Sequence, residues 1–318
     1  PLLARLPRDR GALSLDRRAE AARLSLRDSI DQALVRIATT GIVPSRWFLV
    51  PPKPEDLTAR SGVLDIEIVS HCWQYAHLLA YQLSSLVNFP PAKARVRMTV
   101  FHALEDARTR AMLDFFGAIA APGVEWNWQA LPPPELFRRA IGRNRVARST
   151  SADWVWFTDC DIVFHRDCID TLSQQLQGRQ ALLGYPKFER ITPMLAEDDP
   201  VLAAERDRPR VVDIDTSQFE LAANPPKAKG AYHIVHGDAA RRCGYCAQVP
   251  LYQRPAPRWA KTYEDSAFRW LLGTDGVGLD VPGVHRIRHV HKGRYGESRT
   301  AALVRGNIRR ARESLQRP

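Results

Sequence analysis

No run of the sequence approaches the roughly 20 consecutive apolar residues that a bilayer-spanning helix needs, and no segment reads as a secretory signal. Cysteine is scarce: Cys72, Cys160, Cys168, Cys243 and Cys246 are five in number and irregularly spaced. That excludes a simple disulfide framework and predicts reduced thiols in a cytoplasmic setting. Cys243-Gly-Tyr-Cys246 has the spacing of half a zinc site, but no second close pair supplies the other half, so inert thiols are expected. There is no internal repeat and no recognisable nucleic-acid module, and no specific nucleic acid is expected as a partner. With 45% hydrophobic and 25% charged residues, the 318-residue chain is not disordered in bulk.

The formal net charge is +11, which favours anionic partners. Much of it is local: residues 281–318 hold ten Lys or Arg against two Asp or Glu. In that tail Val304, Ile308, Ala311 and Leu315 form an apolar stripe surrounded by Arg305, Arg309, Arg310 and Arg312. Such a helix suits an anionic membrane surface, which would make the protein peripheral to a membrane's inner face. At the other end Leu15, Ala19, Ala22, Leu26, Ile30, Leu34 and Ile37 recur at helical spacing. The sequence thus divides into an N-terminal helical extension and linker over 1–61, a main domain over 62–296 and a basic amphipathic helix over 297–318.

Within the main domain, apolar periodicity alternates between strand and helix. Residues 64–70, 95–101, 123–128 and 154–157 read as strands, and 75–86, 107–119 and 136–148 as helices. This pattern predicts an α/β fold with a mostly parallel central sheet flanked by helices. Residues 186–229 read as loops and short elements, 230–235 and 284–290 as late strands, and 265–272 as a helix.

In such sheets ligands lie beyond the carboxyl ends of the strands, and there the sequence places Asp159-Cys160-Asp161, directly after the apolar run Trp154-Val155-Trp156-Phe157. Carboxylates at i and i+2 are suited to hold a hard divalent cation, Mg²⁺ or Mn²⁺, through oxygen. The alternative is a solvated Asp-x-Asp turn. A second acidic pair, Glu264-Asp265, opens the 265–272 helix and is followed by Arg269 and Gly273. Alone, that pair reads as a helix cap.

Together these segments resemble the inverting glycosyltransferases of family 2. Arg143-Asn144 precedes Asp159 by the fifteen residues, counted from Asn144, that the family pattern implies, although Val146 and Thr150 stand where Gly and Ala are usual. The resemblance implies a GT-A fold. It implies a nucleoside-diphosphate sugar as donor, with a UDP-sugar favoured, and a glycan, lipid-linked or small-molecule acceptor. By the same resemblance Asp159 and Asp161 bind the metal, Asp265 is the catalytic base with Glu264 positioning it, and Arg143 and Asn144 lie near the nucleotide. The metal site would be completed by His291, with His289 as the alternative, and Lys292 and Arg294 would reach the diphosphate. Ser70 after the first strand and Glu105-Asp106 after the second are the places expected to meet the donor base. His233 and His236, in the Gly230 segment, are candidates for acceptor or phosphate contact, or are structural. Two other classes remain open: a nucleotidyltransferase that makes nucleotide sugars, which should carry a Gly-rich basic loop where the chain reads Ser70-His71-Cys72-Trp73-Gln74, and a non-enzymatic membrane- or nucleic-acid-binding protein.

Overall fold

A computed structural model describes residues 27–196, 199–203, 208–259 and 263–289. The chain divides into two compact units, Pro1–Pro44 and Ser45–Pro318. In the first, residues 27–37 are helical and end in a single wide turn over Ala38–Ile42, where Gly41 adopts a positive φ of 93°. The earlier apolar repeats lie outside the described residues, as does everything after His289, including the segment expected as a helix over 297–318. Among the described residues no helix is long and apolar enough to cross a membrane.

The second unit begins at Ser45, ahead of the boundary expected at 62. The segment expected as a linker is bound to the domain. Phe48 packs on Trp270 with ring centroids 5.1 Å apart, Leu57 is buried, and the Thr58 amide donates to Asp238 at 2.8 Å. Proline and charge in this stretch prevent regular structure but leave single residues free to anchor.

The domain is a mixed α/β fold around a seven-stranded, mostly parallel sheet. In chain order it runs β1 (Leu64–His71), α1 (Ala76–Asn88), β2 (Ala94–His102), α2 (Ala107–Gly117), β3 (Val124–Ala130), α3 (Arg139–Ser149) and β4 (Trp154–Phe157). Then come β5 (Ile162–Phe164), α4 (Cys168–Leu176), β6 (Leu183–Pro186), β7 (Phe188–Ile191), β8 (Glu220–Ala223) and β9 (His233–His236). The last elements are α5 (Gly237–Cys243), α6 (Glu264–Leu272), β10 (Val277–Leu279) and β11 (Val284–Arg286). The central order is β10-β6-β9-β4-β1-β2-β3, with β9 antiparallel to its neighbours β4 and β6. A four-stranded sheet, β5-β11-β7-β8, stands beside it.

The strand run β4 is fully buried, and its Trp and Phe side chains each contribute about 1.5–3 kcal/mol of burial or more. Charge is admitted to β1 where it is satisfied. Buried Glu67 accepts from Thr99 Oγ1 and Thr150 Oγ1, both at 2.6 Å, and Asp65 pairs with Arg95 at the strand's edge. The helix expected over 136–148 is divided: a short turn at Pro133–Leu136 is separated from α3 by Arg138, whose φ and ψ of −105° and 82° are not helical. The late strand expected over 284–290 stops at Arg286. Beyond it the Ile287 amide continues the β5 register by one more bond, donating to the Asp161 carbonyl at 2.9 Å. Likewise the strand expected at 230 starts only at His233, because a turn closed by Tyr232 N to Lys229 O (2.8 Å) precedes it.

Candidate functional site

From β1 the chain steps outward through β2 to β3, then returns to place β4 on the other flank of β1. The carboxyl ends of β1 and β4 therefore form the point where strand order reverses, which is where open α/β sheets hold ligands. His71 ends one strand there and Asp159-Cys160-Asp161 follows the other.

The acidic turn is fixed through its backbone. From α1, the buried Gln82 amide donates to the carbonyls of Asp159 (2.9 Å) and Ile162 (3.0 Å), and Ser85 Oγ accepts from the Phe164 amide at 3.0 Å. Ile287 takes the Asp161 carbonyl, as described. With its backbone held from two sides, the turn presents its two carboxylates in different directions.

Asp159 faces α3. Its Oδ1 accepts from Arg139 Nη1 in a close ion pair and lies 3.4 Å from Arg143 Nη2. Arg143 is fully buried and also donates to the Tyr245 hydroxyl (2.8 Å) and the Thr158 carbonyl (3.2 Å), with its guanidinium 5.2 Å from the Tyr245 ring centre. Burial alone would lower the pKa of Arg139, but the carboxylates of Asp159 and Glu264 raise it above its ordinary value. The same two guanidiniums, together with burial, hold His71 well below the usual imidazole range. His233, 3.2 Å from the Tyr245 hydroxyl, is lowered by burial, Arg143 and Arg269. Both histidines are neutral at pH 7.

Asp265 reaches the same cluster from α6. Tyr263 caps this helix in the left-handed region (φ 57°), which sets Glu264 and Asp265 in its first turn. Glu264 is buried, and Asp265 keeps 38% of its side-chain surface. A methyl group on Gly230 would stand 3.6 Å from Asp265 Cβ and 4.0 Å from Arg143 Nη1. Asp265, Gly230, Arg143 and Asp159 thus form one continuous series of near contacts. Arg269 steadies it, donating to the Ala228 carbonyl (2.5 Å) and lying 3.9 Å from Asp265.

Asp161 lines a cavity of about 310 Å³. Its charged lining is Asp161 and Glu189 against Lys229, Arg286 and Arg288, with His289 in the wall.

Several expected contacts have other work. Asn144 accepts from the Tyr245 amide (3.0 Å) and donates to Gln253 (3.0 Å), which braces α3. Asp106 is the cap of α2: it accepts from the Thr109 amide and hydroxyl and from the Gln74 amide. Ser70 is buried within β1, one residue short of the strand end. Glu105 is exposed beside it in the turn before α2. His236 is buried, with Nδ1 accepting from the Asp238 amide. All five cysteines are buried free thiols, Cys243 and Cys246 among them. His291, Lys292 and Arg294 lie outside the described residues.

A divalent cation fits only in part. Among the described residues no three His, Cys, Asp or Glu side chains gather as a metal-binding group, and Asp159 is engaged by two guanidiniums. Asp161 and His289 both line the cavity. Two such donors suit an ion whose shell is completed by phosphate oxygens and water, not a resident one.

The sequence reading passed over Arg139, Lys229, Arg286 and Arg288. Their signals were present: Arg139 stands four residues before Arg143, on the same helix face. Arg286 and Arg288 alternate with His285, Ile287 and His289. No protein-family model matches the chain, and a search among curated proteins found no relative.

Proposed function

We propose that the protein is an inverting glycosyltransferase of the family 2 type, moving a sugar from a nucleoside-diphosphate sugar to an acceptor hydroxyl. One observation carries this reading. A solvent-accessible carboxylate at a helix start, Asp265, meets the acidic end of the central sheet through Gly230 and Arg143. That pairing joins a proton acceptor to a charged pocket at the strand-order reversal.

In this reading the acceptor oxygen attacks the anomeric carbon as the bond to the diphosphate oxygen breaks. The hydroxyl proton passes to Asp265, and the bond's electron pair leaves with the diphosphate. Buried Glu264, next in sequence, helps fix the orientation of Asp265. A Mg²⁺ or Mn²⁺ ion arriving with the donor would add charge neutralisation on the diphosphate, held by Asp161 and His289. Asp159, bound by Arg139 and Arg143, orders the pocket's floor. A UDP-sugar is the favoured donor. The acceptor is a glycan, a lipid-linked saccharide or a small molecule, and a lipid-linked one would agree with membrane-surface binding by the 297–318 segment. The nucleotidyltransferase alternative gains no support, because α1 follows β1 after four residues with no glycine among them.

The test is Asp265→Asn, assayed by nucleoside-diphosphate release across a panel of nucleotide sugars and acceptors. Donor binding is expected to persist while transfer falls by about 10²–10⁴-fold. A folded variant that transfers at a near-normal rate with saturating acceptor would refute the assignment.

A further inference from the structure

The cavity beside Asp161 has a built-in cationic wall. Glu189, 2% exposed, accepts from Arg286 Nη2 at 2.9 Å and from the Tyr232 hydroxyl, and it stands 3.7 Å from Lys229 Nζ. Its charge is therefore used inside the wall, where it positions two cations. Lys229 is further oriented by Asn224 Oδ1 at 3.0 Å. Arg286 gives Nη2 to Glu189, and a guanidinium with five N–H donors has others to offer a ligand. Arg288 lies two residues on, and both arginines line the cavity. The Ile287 amide between them is fixed to the Asp161 carbonyl. Three cations share the lining with two carboxylates, and Glu189 is paired with Arg286.

We propose that Lys229, Arg286 and Arg288 clamp the donor's diphosphate directly, so that capture requires no divalent ion. The identity of the anion rests on the glycosyl-transfer reading. The excess of cations over carboxylates in the lining favours an anion on its own. Guanidiniums suit this task because their fork of N–H groups matches phosphate oxygens. A cavity of about 310 Å³ lies at the lower end of the range for ligand sites, about 300–1,000 Å³. Asp161, in the same lining, repels a bare diphosphate and so favours its seating on the three cations. A cation shared with Asp161 then becomes an aid to the leaving group and not a condition of binding.

The experiment is calorimetric titration of inorganic pyrophosphate into the full chain in EDTA, repeated with Mn²⁺ and with orthophosphate. Pyrophosphate is expected to bind in EDTA, more tightly than orthophosphate and more weakly as salt rises. Arg288→Gln and Lys229→Gln should each weaken it by about tenfold or more. Because Arg286→Gln alone strands a buried carboxylate, it is combined with Glu189→Gln, and the folded double variant should lose at least as much. Binding only in the presence of Mn²⁺ overturns the clamp. So does equal binding of orthophosphate, or unchanged affinity in the folded variants. Metal-free pyrophosphate binding without turnover of any nucleotide sugar would sink glycosyl transfer while the clamp stands. Turnover with strictly metal-dependent pyrophosphate binding would do the reverse.

Discussion

Replacing Arg143 by methionine probes how the acidic strand end is held. The substitution removes donors to the Tyr245 hydroxyl (2.8 Å), the Thr158 carbonyl (3.2 Å) and Asp159 (3.4 Å), and the stacking on Tyr245. A hydrogen bond from a charged group is worth about 1.5–3 kcal/mol, and a desolvated cation–π contact about 2 kcal/mol. These do not add in full. Tyr245 keeps His233 as a partner and Asp159 keeps Arg139, so no carboxylate is left alone. Methionine also fills much of the stem's volume and needs no buried charge compensated, which offsets part of the loss. The expected net destabilisation is about 2–4 kcal/mol, read from urea unfolding by tryptophan fluorescence at pH 7. Arg143→Lys should recover less than half of it, since an ammonium cannot span three acceptors in a plane. A loss below about 1 kcal/mol for the methionine variant would refute the idea that this guanidinium anchors the site.

Two further outcomes follow from the packing and the buried histidines. A methyl at Gly142 would lie 2.4 Å from His71 Nε2 and 2.9 Å from a Phe101 ring carbon, so Gly142→Ala should lower the melting temperature despite alanine's helix preference. The net cost is about 1–2 kcal/mol, and an unchanged or raised melting temperature would disprove the close contact. Burial lowers the His285 pKa to about 4 from an ordinary 6.5, against the Gly283 carbonyl that raises it. The unfolded chain therefore takes up this proton first. Stability is full above pH 6.5 and declines as pH falls from 6.5 to about 4. His71 and His233 act in the same direction. His285→Gln should flatten part of that decline in urea titrations across the range, and an identical pH profile would count against it.

Much of the central sheet was legible because its strands carry continuous apolar runs and its helices periodic ones. Residues 154–157 and 107–119 show this, since local pattern and burial there agree. What escaped was set by contacts between distant segments. Nothing near Arg138 in the chain signals a helix break, and nothing near Ile287 signals that its amide belongs to Asp161. The two acidic pairs were legible as chemistry, but their partners were not. Asp159 was legible as an acidic residue at a strand end, but its ion pairs with Arg139 and Arg143 on α3 were not. Asp106 and Asn144 were polar residues at the right places along the chain. In both, local backbone amides or a neighbouring loop took the hydrogen-bonding capacity first. The late arginines were hidden in plain alternation with the histidines that drew attention to that segment.

The grip of Ile287 on the Asp161 carbonyl, and of β11 on β5, has a consequence for biosynthesis. The parallel core can assemble from early sequence, yet the acidic turn stays unfinished until far later residues have left the ribosome. Such long-range closure is slow to form. A nascent chain will thus carry a half-made pocket, ordered on one flank by Gln82 and open on the other until residues 284–287 have emerged to close it.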